Sequence, residues 1–242
     1  RLASDFGYGR RTVRKSGKSG RSGRYGNGII IRTIKKQENM ATRTLSNLVW
    51  PDGQTNPSGM KSIAYFMFKR DIKSWPKIPA APASAAEAVT YDGDFEMQEG
   101  KKAISIYSTQ GVGKVEFEST GEKDCKMFNN KLTLSYPDMN DESVDFCNSL
   151  VNSNGVFIVP YYVAGGKLAY VVIGGENFDA EISPKGTSGD KAGSAKGLTL
   201  EVTAPDALCL PRYTGIIELS DGTLNCETGV FTATPSTPSG GE

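Results

Sequence analysis

Residues 155–174, GVFIVPYYVAGGKLAYVVIG, decide the fold class, because two apolar runs of strand length flank a short glycine-containing turn. Residues 155–163 and 168–174 are rich in the β-branched and aromatic side chains that favour strands. Residues 164–166 between them suit a tight turn, since glycine adopts positive φ angles without steric cost. The stretch therefore predicts a β-hairpin.

Shorter runs of the same kind lie on both sides of this hairpin. Each alternates, or runs apolar, for the length of a strand and is bounded by glycine, asparagine or charged residues. Most connections between them are too short for the crossovers that parallel strands need, so antiparallel sheet is predicted. The runs are VTYDGDFEM (89–97), AISIYS (103–108), KVEFEST (114–120), KLTLSY (131–136), FDAEIS (178–183), GLTLEVTA (197–204) and YTGIIEL (213–219).

Residues 137–154 predict one amphipathic helix between the strands. Asp138 or Asn140 can cap its first turn, which is acidic as the helix dipole favours, and Gly155 can end it. A broad apolar stripe indicates that the helix covers one side of the sheet and is structural. The stripe contains Val144, Phe146, Cys147, Leu150 and Val151.

Charge divides the chain into two unlike parts. Residues 1–39 hold 11 Lys and Arg against Asp5 and Glu38, which leaves 17 basic and 25 acidic residues from Met40 onward. A segment of net charge +9 therefore precedes a body of net charge −8. The Gly- and Ser-rich composition of residues 1–39 predicts a disordered arm that can neutralise nucleic-acid phosphates. Alternatively it is a leader outside the functional body, since Met40 resembles a natural start.

Four regions are predicted from these patterns. Residues 1–39 are the basic low-complexity arm or leader, and residues 40–88 hold an N-terminal strand, SIAYFMFK, followed by a Pro/Ala-rich linker. Because that linker cannot form a regular hydrogen-bond ladder, the strand is expected to reach away from the core. Residues 89–220 form the main β domain, and residues 221–242 a C-terminal tail.

The chain offers no set of residues at a spacing typical of a catalytic or metal site. It contains no histidine, which excludes imidazole catalysis and His-ligated metals. The four cysteines form no CxxC pair and are expected to be free thiols. Glu116 and Glu118 lie side by side on one strand, whereas glycoside hydrolysis needs carboxylates that flank a bond. No catalytic, cofactor-binding or metal-binding residue is predicted, and no apolar run is long enough to anchor the protein in a membrane.

Several segments together resemble the major tail tube proteins of long-tailed bacteriophages and prophages, especially those of Bacteroidetes hosts. The resemblance covers about half of the chain. It is carried by VTYDGDFEMQEGKKAISIY (89–107), STGEKD (119–124), VNSNGVFIV (151–159), EISPKGTSGDKAGSAKGLTLEV (181–202) and YTGIIEL (213–219).

The resemblance implies a β-sandwich or barrel flanked by one α-helix. It also implies hexameric rings, closed by a continuous β-barrel and stacked into a tube through which DNA passes. The expected partners are further copies of the chain, the tape measure protein and other tail proteins, with DNA present only in transit. The expected location is the virion tail, and the host cytoplasm during assembly.

The site residues that this interpretation favours lie on strands and on one polar loop. Residues 112–120 and 131–136 are the candidates for the lumen side, with Glu116 and Glu118 as its carboxylates, since an acidic lumen would repel DNA and keep it mobile. Residues 62–79 and 184–197 are the candidates for contact between rings. Within the second segment these are Thr187, Ser188, Gly189, Asp190 and Lys191.

Two other functions compete with the tail tube interpretation. One is a monomeric or trimeric β-sandwich binding module, such as a capsid decoration protein or a glycan binder. Trp50, Trp75, Tyr161 and Tyr162 could form its sugar-stacking platform. The other is a nucleic-acid-packaging factor, whose binding would depend on the basic arm and weaken steeply with salt.

Overall fold

The computed structural model describes residue 45 and residues 47–235. The predictions for residues 1–39, and for the end of the C-terminal tail, concern residues outside this part. The helix α1 spans Asp141–Leu150. The strands are β1 (Ile63–Phe68), β2 (Ile72–Ser74), β3 (Thr90–Tyr91), β4 (Glu96–Met97), β5 (Ile104–Tyr107), β6 (Lys114–Thr120), β7 (Met127–Tyr136), β8 (Gly155–Val163), β9 (Lys167–Ile173), β10 (Glu181–Thr187), β11 (Gly197–Asp206), β12 (Arg212–Tyr213), β13 (Ile216–Leu219), β14 (Gly222–Asn225) and β15 (Val230–Ala233).

A six-stranded sheet in the order β3-β12-β9-β8-β1-β5 forms the centre of the molecule. Its strand pairs are antiparallel except β3 with β12. The predicted hairpin is confirmed as β8 and β9, which pair from Phe157 with Ile173 to Val163 with Lys167.

Both faces of this sheet are buried, which explains its uninterrupted apolar runs. Successive side chains of a strand point to opposite faces, so a strand that is covered on both sides is apolar at every position. On β1, Ala64 and Phe66 belong to one core, whereas Tyr65 and Met67 belong to the other.

A four-stranded antiparallel sheet, β10-β11-β7-β6, packs on the first face together with α1. The fold is therefore mainly β, an antiparallel β-sandwich with one flanking helix, as the sequence predicts. The first core lies between the sheets and includes Phe66, Leu132, Leu134, Leu150, Phe157, Val159, Val171, Leu200 and Val202.

The second face is covered by the β13-β14-β15 sheet and by residues around the β2–β4 pair. Residues 221–242 were predicted to be a tail, but β14 and β15 lie within them, and Leu224 and Cys226 are buried. The short polar strand Gly222–Asn225 gives little signal by itself. It is stabilised by pairing with β13 and β15, which a local sequence pattern does not show.

The expectation that the first strand reaches away from the core is wrong. β1 pairs with β5 on one side and with β8 on the other, and Phe66 is fully buried. The Pro/Ala-rich residues that follow do not determine the position of β1, because its partners lie far away in the sequence.

Two boundaries also differ from the sequence prediction. VTYDGDFEM is interrupted rather than one strand, since Gly93 takes φ +89° and the Asp94 carboxylate accepts a hydrogen bond from the Ile216 amide (2.7 Å). The helix is shorter than predicted. Asn140 caps it by accepting a hydrogen bond from the Ser143 amide (2.9 Å), and Gly155 begins β8 instead of ending the helix.

Candidate assembly surfaces

Glu116 and Glu118 lie on the outer, polar face of the four-stranded sheet. Strand register places Glu116 opposite Lys131 of β7, away from the first core. The Glu116 carboxylate forms an ion pair with Lys114 (2.8 Å), and that of Glu118 with Lys131 (2.7 Å). Their side chains are 52% and 55% exposed, so both carboxylates remain accessible to solvent.

The hydrogen bond and positive charge of Lys131 lower the pKa of Glu118, so this carboxyl is ionised at neutral pH. The same face carries Lys185 paired with Glu201 (2.6 Å), and Glu181 in the row of Lys131. Four carboxylates (116, 118, 181 and 201) therefore stand against three ammonium groups (114, 131 and 185), a net charge of −1. The face is acidic only slightly, since lysines offset most of its negative charge.

Strand β6 forms an open edge of this sheet. Among residues 47–235 it pairs with β7 alone, along its whole length. Phe117 is half exposed and meets the Phe128 ring edge-on, with centroids 6.1 Å apart. An open strand with an exposed aromatic side chain is a favourable template for pairing with another chain.

Strand β5 is the corresponding open edge of the six-stranded sheet. It pairs with β1, and in the described part of the chain β13 reaches only its start, through a bridge between Ala103 and Leu219. Ile104–Tyr107 themselves pair with no strand on that side. Ile104 and Tyr107 are exposed there. The short connection of residues 108–113 joins β5 to β6. Within this connection, the Thr109 amide donates a hydrogen bond to the Ser135 carbonyl of β7 (2.7 Å). The two open edges thus belong to consecutive strands.

The predicted loop of residues 184–197 is partly strand, because β10 and β11 remain paired as far as Thr187 with Gly197. The remaining tip is held by its own hydrogen bonds. The Gly189 amide donates to the Thr187 hydroxyl (3.2 Å), and the Ser194 hydroxyl donates to Asp190. This second bond and backbone amides lower the pKa of Asp190.

Four of the five predicted loop residues, Ser188 to Lys191, lie at this tip, and Thr187 is the last residue of β10. All except the partly buried Gly189 are exposed. Lys196 at the base of the loop forms an ion pair with Asp138 (2.9 Å), just before α1. The structure therefore presents a projecting polar loop that is ordered internally and anchored next to the helix.

Within residues 62–79, the other predicted contact segment, β1 lies in the core and is unsuited to that role. The residues after β1 include the exposed Arg70, Lys73, Ser74 and Lys77, so the prediction is kept for them alone. The four aromatic residues of the proposed sugar platform also do not converge. Trp75 packs on the second core, with its ring 5.4 Å from that of Phe95, whereas Tyr161 packs on the first core. They lie on opposite sides of the central sheet.

Two findings concern metal binding and cysteine reactivity in the described part of the chain. Among residues 47–235, no three His, Cys, Asp or Glu side chains cluster closely enough to hold a metal ion. Burial raises the pKa of Cys226 and of Cys147, which lowers the thiolate fraction that makes a cysteine reactive. No helix in the described part has the length and apolarity needed to cross a bilayer.

Comparison with known proteins adds no relative. No family model, curated protein or solved structure matches the chain.

One surface was missed by the sequence analysis. Leu45, Leu48, Val49 and Trp50 are all exposed, and Leu48 has no measurable burial (103%). The signal was present in the sequence, since NLVWP combines three large apolar residues with a proline directly after them. It was overlooked because so short a run predicts no regular element.

Proposed function

We propose that the protein is a structural virion protein that self-assembles into stacked hexameric rings and forms a phage tail tube through which DNA passes. The observation that supports this most is the pair of open edge strands, β5 and β6, which lie at one edge of each of the two larger sheets. In a closed ring, each open edge can be covered by a neighbouring copy, which satisfies its free backbone groups. A monomer leaves both edges available for unwanted pairing.

The outer face of the four-stranded sheet is our candidate for the lumen surface. It is mainly polar, and three of its four carboxylates are held in ion pairs, which leaves one excess negative charge for each copy. Repeated around a ring, such a face would repel DNA weakly and offer it no cluster of unpaired lysines. A transit channel needs this property, since attraction would slow the passing strand.

The tip of residues 188–196 is our candidate for contact between rings. Its internal hydrogen bonds reduce the conformational entropy that docking would cost. Deleting residues 187–194 should leave a folded protomer that fails to form tubes. Circular dichroism would check the fold and negative-stain electron microscopy the assembly, and tubes of normal length would contradict this role.

Charge reversal tests the lumen assignment. Glu116→Lys with Glu118→Lys should permit tube assembly but slow DNA passage, because the face then carries excess positive charge. The matched control is Asp221→Lys with Glu227→Lys, which makes the same charge change on exposed residues beside β14. Infectivity of phage carrying each pair would be compared, and equal infectivity would contradict the lumen role.

One observation favours the alternative of a β-sandwich binding module. A cavity of about 180 Å³ is lined by Trp75, Tyr91 and Phe178, together with Asp206. Aromatic rings beside a carboxylate suit a sugar ring, as in a glycan-binding surface protein. This function would give saturable sugar binding and no concentration-dependent tubes. A capsid decoration protein would instead give saturable binding to the capsid, also without tubes.

A further inference from the structure

An apolar groove lies between the free edge of β5 and the helix α1. Its volume is about 240 Å³, below the roughly 300–1,000 Å³ of pockets that hold small molecules. The size and lining suit a few apolar side chains of a protein segment better than a free ligand. The groove is lined by Ile104, Ile106, Phe146, Cys147, Leu198 and Leu200.

The same chain carries an exposed apolar segment that none of the other described residues covers. We call Leu45 and Leu48–Trp50 the lead segment; all four side chains are exposed. Clustered exposed apolar side chains usually mark an interaction site. The segment leaves the body near the β8–β9 turn, where the Thr55 carbonyl accepts a hydrogen bond from the Gly165 amide (2.8 Å).

Shape and charge both make the lead segment a suitable occupant of the groove. A short extended segment can add to the free edge of β5 while its side chains enter the adjacent apolar groove. Helix α1 on the other wall contains Asp141, Glu142 and Asp145 but no Lys or Arg, whereas residues 1–39 before the segment carry a charge of +9. The acidic wall therefore attracts the chain that leads into the segment.

We propose that the lead segment of one copy docks into the groove between β5 and α1 of a second copy. Each copy then donates a segment and accepts one, a head-to-tail contact that closes into rings or continues along a tube. The inference rests on the proposed self-assembly, since the occupant is another copy of this chain. It assigns to that assembly a donor segment and an acceptor groove.

Cross-linking of mixed full-length chains tests the docking directly. Cys125 is exposed and Cys209 is partly exposed, so both would be replaced by serine in both chains. The donor chain carries Leu48→Cys and Cys147→Ser, and the acceptor chain keeps the native Cys147 of the groove. A disulfide requires Cβ atoms roughly 3.5–4.5 Å apart. Oxidation at alkaline pH, which offsets the raised pKa of Cys147, should therefore link donor to acceptor only if the segment enters the groove.

The matched control places the new thiol outside the apolar cluster. A donor with Asp52→Cys in place of Leu48→Cys should cross-link much less, although the residue is exposed in the same part of the chain. Separately, Leu48→Ser with Trp50→Ser should weaken association at least about tenfold, which corresponds to 1.4 kcal/mol. Asn47→Ser with Asp52→Ser should leave it unchanged.

The outcomes separate this inference from the proposed function. Linked pairs inside rings or tubes would support both, and linked pairs without rings would support the docking but contradict the tube. If rings form without linked pairs and the serine variant assembles normally, the docking is contradicted but the proposed tube is not. An intrachain disulfide in a monomer that combines Leu48→Cys with native Cys147 would also overturn it, and absence of any association would contradict both.

Discussion

Truncation of Phe66 is expected to destabilise the protein strongly, because its ring packs in the first core against aromatic side chains of both the central sheet and α1. Its side chain is fully buried on the central strand β1. The ring packs against three others, with centroids 4.8 Å from Phe68, 4.9 Å from Phe157 and 6.3 Å from Phe146 on α1. Replacing it by alanine removes these contacts and leaves a cavity that rigid strands cannot fill.

Buried Phe→Ala substitutions cost about 3–5 kcal/mol, and the aromatic pairs place Phe66 within the upper half of that range. We expect Phe66→Ala to lower the free energy of unfolding by about 4 kcal/mol. With an m-value of about 2 kcal/mol/M, the urea midpoint would fall by roughly 2 M. The measurement is urea unfolding followed by circular dichroism, at a protein concentration low enough to avoid assembly.

Phe117→Ala on the open edge β6 is the matched control, since it removes the same side chain from a half-exposed position. It should cost no more than about 1 kcal/mol, as is usual for substitutions outside the core. Equal losses for the two variants would refute the placement of β1 at the centre of the sandwich.

Three further predictions concern the helix cap and two titrating groups. Asn140→Ala should cost about 1 kcal/mol in urea unfolding, because the Ser143 amide loses its acceptor; no change would contradict the cap. Burial raises the pKa of Tyr65 to about 12, so the folded state holds the proton longer than the unfolded state, and stability should fall as pH rises from about 10 to 12. Tyr65→Phe should reduce that fall, and an unchanged alkaline slope would count against the buried hydroxyl. Burial also raises the pKa of Asp206, so its contribution to stability is greatest at acid pH and is lost as pH rises through the folded pKa. Asp206→Asn should therefore have a higher urea midpoint than the parent at pH 7. Equal midpoints would contradict this prediction.

The sequence predicts local elements of this fold better than their partners. The β8–β9 hairpin was identified because both strands and their turn are contiguous, and the alternation of KVEFEST correctly placed Glu116 and Glu118 on one face. The central position of β1 was not predicted, since its pairing of Phe66 with Phe157 joins distant parts of the chain. A local sequence pattern predicts that a segment forms a strand, but it does not predict which strand pairs with that segment.

The surfaces show the same limit. The projecting loop was predicted from its composition, but the ion pair of Glu118 with Lys131 depends on register across two strands. The groove between β5 and α1 brings together residues from four separate elements, including Ile104, Phe146 and Leu198. Such a site exists only after packing, so residue spacing gives no signal for it.

Electron microscopy of the purified full-length chain tests the central claim most directly. Negative-stain images and light scattering would be recorded across a concentration series. The proposed function predicts rings that stack into hollow tubes as concentration rises. A particle that stays monomeric or trimeric at every concentration would contradict it.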